Sequence, residues 1–195
     1  MVKRVAFYYN QKYCIGCRAC QVACKDKNDL PIGVLIRRVR SFETGKYPKP
    51  GKFNFAETCN HCASPACVVS CPTGSLYVAD EGTVQQKHVL CIACLRCVDA
   101  CPYKHPRYLE SENIVLKCDA CIRLRAIGEN PACVATCPMR TLEFGDVEEL
   151  RTRHSEEDLT MRFPFLPSPS KTDPSTLVRG RDCAFDPEFR EHTIV

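Results

Sequence analysis

At 195 residues the chain is sized for one or two small domains, with 27 Lys and Arg against 23 Asp and Glu and a formal charge of +4. Hydrophobic residues make up 45%, but 17 of them are cysteines, which leaves roughly 36% for an apolar core, so something besides apolar burial must hold the fold. The odd cysteine count, the repeated C-x2-C pairs and a run from Val5 to Asn10 too short for a signal peptide weigh against a secreted disulfide scaffold. No stretch approaches the roughly 18 apolar residues of a membrane span, so the chain is expected to be soluble by itself.

Val5, Phe7 and Tyr9 alternate as a short strand that runs into a first cysteine quartet, Cys14, Cys17, Cys20 and Cys24. Gly16 frees the loop from Cβ constraint where it must turn tightly. Ala19 to Lys27 reads as a helix with Cys20 and Cys24 on one face, ended by Asn28-Asp29 ahead of Pro31. Residues 31–55 hold no cysteine; Val34-Leu35-Ile36 and Phe53-Asn54-Phe55 read as strands, and the segment is expected to be a docking insertion.

The second quartet is Cys59, Cys62, Cys67 and Cys71, with Pro65 in its widened middle gap and Pro72 after it. Leu76-Tyr77-Val78 and Thr83-Val84-Gln85 predict a hairpin turning at Gly82. The third quartet, Cys91, Cys94, Cys97 and Cys101 before Pro102, is followed by a second predicted hairpin, Arg107-Tyr108-Leu109 with Ile114-Val115-Leu116. The fourth is Cys118, Cys121, Cys133 and Cys137 before Pro138, with a loop containing Gly128 and Pro131 at its centre. Asp146 and Glu149 carry a capping-box signal for a helix to about His154. From Phe163 the chain is Pro-rich and aperiodic; Phe165, Leu166, Leu177, Val178 and Phe185 cannot build a core alone, and the tail is predicted to lie on another surface.

The third quartet reads C-x2-C-x2-C-x3-C-P. By this spacing bacterial two-cluster ferredoxins hold [4Fe-4S] clusters, three thiolates of one loop on one cluster and the fourth, from the helix beyond, on its neighbour. Quartets therefore work in pairs, and 59–71 beside 91–101, with the first beside the last, is one such arrangement. Three of the four end in Pro, which fixes φ and turns the chain away, whereas Lys25 follows the first. Zinc also accepts four thiolates but takes two pairs split by a longer loop, which leaves no role for the third cysteine of Cys14-Cys17-Cys20 or Cys91-Cys94-Cys97. Sixteen thiolates on four oxidised clusters would move the formal +4 to about −4, so nucleic-acid binding is not expected.

Cys59-Asn60-His61-Cys62, Pro65-Ala66-Cys67, Cys71-Pro72-Thr73-Gly74, Lys117-Cys118-Asp119-Ala120-Cys121, Pro131-Ala132-Cys133-Val134, Cys137-Pro138 and Phe144-Gly145-Asp146 resemble the four-cluster iron-sulfur subunit of dimethyl sulfoxide reductase and its polysulfide, thiosulfate and tetrathionate reductase relatives. Cys24-Lys25 resembles that family's first group. The resemblance runs from about residue 5 to 150 and more loosely to Val178. It implies an electron-transfer subunit bound to a molybdenum or tungsten bis-pterin catalytic subunit, often with a quinone-reactive membrane anchor. It implies cluster 1 on Cys14, Cys17, Cys20 and Cys137, cluster 2 on Cys118, Cys121, Cys133 and Cys24, cluster 3 on Cys59, Cys62, Cys67 and Cys101, and cluster 4 on Cys91, Cys94, Cys97 and Cys71. Cluster 1 would lie nearest the catalytic metal, clusters 3 and 4 distal. In nitrate reductase relatives Trp replaces one cysteine of the third group at a three-iron site. Here Cys94 is present and the chain has no Trp, so four [4Fe-4S] clusters are expected. The family's Arg three positions after the second cysteine of the fourth group is Leu124 here, between Arg123 and Arg125, which puts a local charge contact in question.

The fold expected is α+β: two nested halves like bacterial 2[4Fe-4S] ferredoxins, residues 1–30 with 106–150 and residues 56–105, with 31–55 as docking insertion and an irregular 151–195 as partner-binding tail. Lys117, Arg96 and Arg140 are candidates to act on cluster potentials by local positive charge, though a solvated face or a subunit salt bridge fits each as well. His61 is expected to hydrogen-bond near a cluster or lie exposed, Cys183 to be a bystander thiol, and Tyr13, Tyr103 and Tyr108 to shield clusters. No catalytic residue and no substrate pocket of its own is expected. A free-standing polyferredoxin and a zinc-stabilised interaction scaffold are the alternatives. Localisation is expected to be cytoplasmic, or extracytoplasmic by export with the catalytic partner.

Overall fold

The computed structural model describes residues 4–192. In chain order the elements are β1 (Val5–Asn10), α1 (Ala19–Lys27), β2 (Arg38–Thr44), β3 (Gly51–Glu57), α2 (Ala66–Val69), β4 (Leu76–Val78), β5 (Val84–Gln86), α3 (Arg96–Ala100), β6 (Arg107–Leu109), β7 (Ile114–Leu116), α4 (Ile122–Ala126), α5 (Ala132–Ala135), β8 (Leu142–Asp146), α6 (Val147–Arg153), β9 (Leu177–Arg179) and β10 (Phe189–His192). No described helix is long and apolar enough to cross a membrane. Both predicted hairpins form, β4 with β5 and β6 with β7. α1 spans the residues read from the sequence and buries Cys20 and Cys24. α6 begins where predicted, because the Asp146 carboxylate accepts the otherwise orphaned N–H groups of Glu148 and Glu149.

One pairing register occurs twice. In the hairpin β4–β5, Leu76 stands opposite Gln86 and Lys87 N donates to Ser75 O at 2.8 Å. In the antiparallel pair β8–β1, Leu142 stands opposite Tyr9 and Asn10 N donates to Thr141 O at 2.8 Å. Leu76 and Leu142 each follow the last cysteine of a quartet, Cys71 and Cys137, at the same offset. Gln86 and Tyr9 precede the first cysteines, Cys91 and Cys14, at the same offset, through matching short turns at His88–Leu90 and Gln11–Tyr13. The contiguous hairpin and the two ends of the chain thus make the same local structure. Accordingly α2 packs on α3, and α1 on α5.

β2 and β3 form a two-faced sheet by their period-two alternation. Val39, Ser41, Asn54 and Ala56 face the first-quartet loop: Val39 and Ala56 line a cavity with Cys14, Cys17 and Cys20, and Asn54 Nδ2 donates to Cys14 O at 3.1 Å. Phe42, Phe53 and Phe55 face the tail. Phe42 lies 4.7 Å from Phe165, Phe53 5.2 Å from Phe165 and Phe55 5.8 Å from Phe163, centre to centre.

Two readings differ from this. Val34-Leu35-Ile36 is not a strand; the strand begins at Arg38, after Gly33 takes a left-handed φ of 86°. Ile36 is buried, but the polar groups around this run are met by side chains, with Arg107 Nε donating to Leu35 O and Val39 N to Gln21 Oε1. The tail, read as resting on another surface, packs on this chain: β9 pairs parallel with β1 and β10 antiparallel with β2. Its scattered aromatics complete the far face of the 31–55 insertion, a contact that periodicity does not show. Residues 193–195 lie outside the described residues.

Candidate metal centres

Each quartet is set by a backbone device that side chains alone do not announce. The residue two after the first cysteine is left-handed in every quartet, Gly16 (φ 73°), His61 (φ 43°), Ala93 (φ 51°) and Ala120 (φ 53°). In the first and third quartets the residue after the second cysteine is left-handed as well, Arg18 and Leu95. Alternating hand turns successive N–H groups toward one side, which makes a concavity suited to negative charge. After the fourth cysteine a second device recurs: Gly74, Lys104 and Arg140, three residues beyond Cys71, Cys101 and Cys137, are left-handed, and their N–H groups bond back to the cysteine carbonyls. Pro at the next position starts this turn by fixing φ.

The turn acts on the sulfur it follows. Burial pushes the Cys71 and Cys137 thiols up, but hydrogen bonds outweigh it and hold both below the usual range, from the backbone of Leu76, Thr73 and Ser75 and the Thr73 hydroxyl for Cys71, and from Thr141, Met139 and Leu142 for Cys137. Thr141 Oγ1 lies 3.3 Å from Cys137 Sγ. Elsewhere burial prevails: Cys20, Cys24, Cys62 and Cys97 are each pushed up to about 11, Cys67 to about 12, and Cys118 upward as well. Sulfurs this buried carry negative charge only opposite a compensating one.

All 17 cysteines are free thiols. One cavity is lined by Cys71, Cys91, Cys94 and Cys97. Another is lined by Cys14, Cys17, Cys20 and Cys137. Of the other eight predicted ligands six are buried, and Cys62 and Cys101 are half-buried. Cys62 and Cys67 each feel Cys59 and Cys101, and Cys24 feels Cys133 and Cys121. Beyond its burial, Cys118 feels Cys59 and then Cys24, so these two groups adjoin. Among the described residues no three or more His, Cys, Asp or Glu converge as the ligands of a single ion would.

[4Fe-4S] clusters fit this arrangement on two counts. Each cavity presents four thiols and a rim of backbone N–H groups, the donor set of a cluster. Two donors on the Cys59–Cys62 loop, Asn60 Nδ2 and a ring nitrogen of His61, Nε2, are buried without a protein partner. His61 Nδ1 accepts Val84 N–H at 3.1 Å, so Nε2 carries the hydrogen and needs an acceptor that cluster sulfur would supply.

Of the three cations singled out in the sequence, Lys117 is buried, with Nζ donating to Val84 O and Cys118 O at 2.5 Å. Arg96 and Arg140 are exposed, and Arg140 donates to Ala135 O. Beside Leu124, Arg125 binds Glu81 through both terminal nitrogens, at 2.5 and 2.8 Å, and Ala120 O through Nε. Tyr13 and Tyr108 are not core residues: Tyr13, in the short turn before Cys14, is 61% exposed and Tyr108, in the middle of β6, is 37% exposed. Tyr103 is half-buried and stacks on the buried His105. Cys183 stands apart from the quartets, half-buried against Lys52. Sequence reading missed Arg37, which is 2% exposed and lies among Cys133, Cys20, Cys118 and Cys24. Nothing in the Arg37-Arg38 pair distinguishes it from a surface cation.

Comparison with known proteins agrees with this chemistry. Residues 52–147 match a 4Fe-4S dicluster domain and residues 11–27 a 4Fe-4S binding domain. The sequence is 35% identical over 187 residues to the B subunit of the anaerobic dimethyl sulfoxide reductase of Escherichia coli K12, covering 92% of this protein and 90% of the relative. It is 40% identical over 154 residues to the thiosulfate reductase electron transfer subunit PhsB of Salmonella typhi, covering 76% and 79%. It is 36% identical over 157 residues to the B subunit of the polysulfide reductase of Wolinella succinogenes, covering 78% and 82%. With four cysteine quartets, two cavities in which three cysteines of one quartet meet the fourth of another, and these matches across most of its length, this protein belongs to the family of [4Fe-4S] iron-sulfur subunits that includes the B subunit of dimethyl sulfoxide reductase.

Proposed function

We propose that this chain is the electron-transfer subunit of a molybdenum or tungsten bis-pterin oxidoreductase, passing single electrons between the catalytic subunit and a quinone-linked membrane subunit or soluble carrier. A [4Fe-4S] cluster supplies one-electron redox chemistry at nearly constant geometry; the protein holds, spaces and shields it. Cys14, Cys17, Cys20 and Cys137 hold the first cluster, and Cys118, Cys121, Cys133 and Cys24 the second. Cys59, Cys62, Cys67 and Cys101 hold the third, and Cys91, Cys94, Cys97 and Cys71 the fourth. The observation that carries this reading is the pair of cavities in which three cysteines of one quartet meet the fourth of another. The doubled strand register supports two nested ferredoxin-like halves, one contiguous and one closed by the chain ends.

Among the quartet cysteines only Cys17 and Cys94 are exposed, one in each cavity, so electrons enter and leave there. Exposed apolar side chains line both cavities: Ile15 and Met139 with Cys17, and Ile92 with Cys94. These are the docking faces. The Cys17 face receives the catalytic subunit and the Cys94 face the donor or acceptor, as in the family this chain resembles. The outer sides of the insertion and tail extend the contact with these partners.

Two measurements test the proposal. Anaerobically purified protein should contain about sixteen iron and sixteen sulfide per chain, as four cubane clusters require; colourless protein holding zinc would refute it. Cys24→Ser should remove or convert the EPR signal of the cluster on Cys118, Cys121 and Cys133 and leave that on Cys14, Cys17 and Cys20. The reverse result would show that the fourth ligands are not exchanged.

A further inference from the structure

Arg37 has one of the largest fully buried side chains in the protein. Its guanidinium donates from Nη1 to Ala56 O at 3.2 Å and stands 5.2 Å from the centre of the Phe7 ring. No carboxylate among the described residues pairs with it. A buried cation of this kind is costly unless an anion compensates it. Burial works against its charge, and the groups that favour it are sulfurs, Cys133 first, then Cys20, Cys118 and Cys24; His105 also lies within its influence. Lys117 is also buried, and among the described residues no carboxylate pairs with it; its Nζ donates to the carbonyl oxygens of Val84 and Cys118, and it acts on Cys118 and Cys67. The cavity of Cys71, Cys91, Cys94 and Cys97 is lined by no charged side chain at all. Positive charge is therefore built into the interior beside three of the four cysteine groups and withheld from the fourth.

We propose that Arg37 and Lys117 are fixed internal counter-charges that raise the reduction potentials of the inner clusters, most of all the one on Cys118, Cys121, Cys133 and Cys24, which adjoins both. The cluster on Cys71, Cys91, Cys94 and Cys97 is then the low-potential end of the chain's electron path. Each reduction adds one negative charge to a site whose net charge is among the determinants of its potential, and a guanidinium keeps its charge at every working pH. Both are positioning residues: they touch neither substrate nor partner. The inference rests on the ligand sets proposed above.

The test is an EPR-monitored redox titration of the anaerobically purified complex, with the fourth-cluster signal identified through Cys94→Ser. Arg37→Gln should lower the equilibrium constant for reducing the cluster on Cys118, Cys121, Cys133 and Cys24 at least tenfold, about 59 mV for one electron, with a smaller fall for the cluster on Cys14, Cys17, Cys20 and Cys137. Arg37→Lys should recover most of the loss, and the Cys94 cluster should not move. Lys117→Gln should lower the same inner cluster together with that on Cys59, Cys62, Cys67 and Cys101. If Arg37→Gln loses iron, the Lys117→Gln titration decides. All four potentials unchanged, or all four shifted alike, with full iron content, would overturn the inference. Fewer than four clusters in the unaltered complex would overturn the ligand sets instead.

Discussion

Phe42→Ala separates the two faces of the β2–β3 sheet. Phe42 is 0% exposed, its ring stacks on Phe53 at 4.8 Å and meets Phe165 at 4.7 Å and Phe189 at 5.8 Å, and the Arg40 guanidinium lies 4.8 Å above it. Truncating a fully buried Phe costs about 3–5 kcal/mol, the lost transfer energy plus the cavity. The loss falls on contacts that hold Phe163–Phe165 and β10. At about 1.4 kcal/mol per tenfold, a cost near 4 kcal/mol raises the population with the tail lifted by roughly a thousandfold. Val39 and Ala56, which line the Cys14 cavity, point the other way and keep their contacts. Limited trypsin digestion under anaerobic conditions should therefore cut at the exposed Arg162 and Lys171 far faster than in the unaltered chain, with iron content and EPR signals intact. Ile32→Ala, at a side chain 98% exposed, should change nothing. Unchanged digestion, or loss of the Cys14 cluster together with the tail, would refute the two-faced sheet.

Gly16→Ala should abolish the cluster on Cys14, Cys17 and Cys20. The position has φ 73°, and a Cβ there would come within 2.5 Å of Asn54 Oδ1, on a side chain pinned by Ser41 and Cys14. Strain of about 1–3 kcal/mol falls on the loop itself, and full iron content in the variant would contradict this. Glu81→Gln should lower stability by about 1–2 kcal/mol through loss of the charge-assisted Arg125 pair. Hydrogen bonding to Arg125 is the largest cause holding the Glu81 carboxyl below its usual range. A depressed folded value means the pair stabilises fully above the unfolded carboxyl range of about 4.3 and fades only as pH falls through the folded value. The penalty read by thermal unfolding of the holoprotein should thus be the same at about pH 6 and pH 8; a strong dependence in that window would disprove the assignment.

Cysteine spacing made the centres legible, since thiolate geometry demands fixed offsets along the chain. α1, α6 and both hairpins were legible for a similar reason, each carrying local signals such as Asp146 or Gly82 that act within a few residues. What escaped was non-local. Val34-Leu35-Ile36 has the composition of a strand, but Arg107, far along the chain, takes up the Leu35 carbonyl. The aromatic residues of the tail have no period of their own because their partners, Phe42, Phe53 and Phe55, belong to another element. Arg37 is decisive by burial alone, and burial of a lone cation depends on sulfurs brought in from both ends of the chain.

The doubled strand register also bears on how the chain assembles. Leu76 meets Gln86 across 10 residues, whereas Tyr9 meets Leu142 across 133. Loop closure alone makes the second meeting about 2 kcal/mol harder at equal contact energy, and pairing of such long range is slow. The cavity of Cys71, Cys91, Cys94 and Cys97 has all its cysteines once residue 97 has been made. The other must wait for the fourth quartet, and until then Cys14, Cys17 and Cys20 lack the partner, Cys137, that shares their cavity. The same register used twice therefore yields two cavities of different age within one polypeptide, and the one around Cys17 is the later to form.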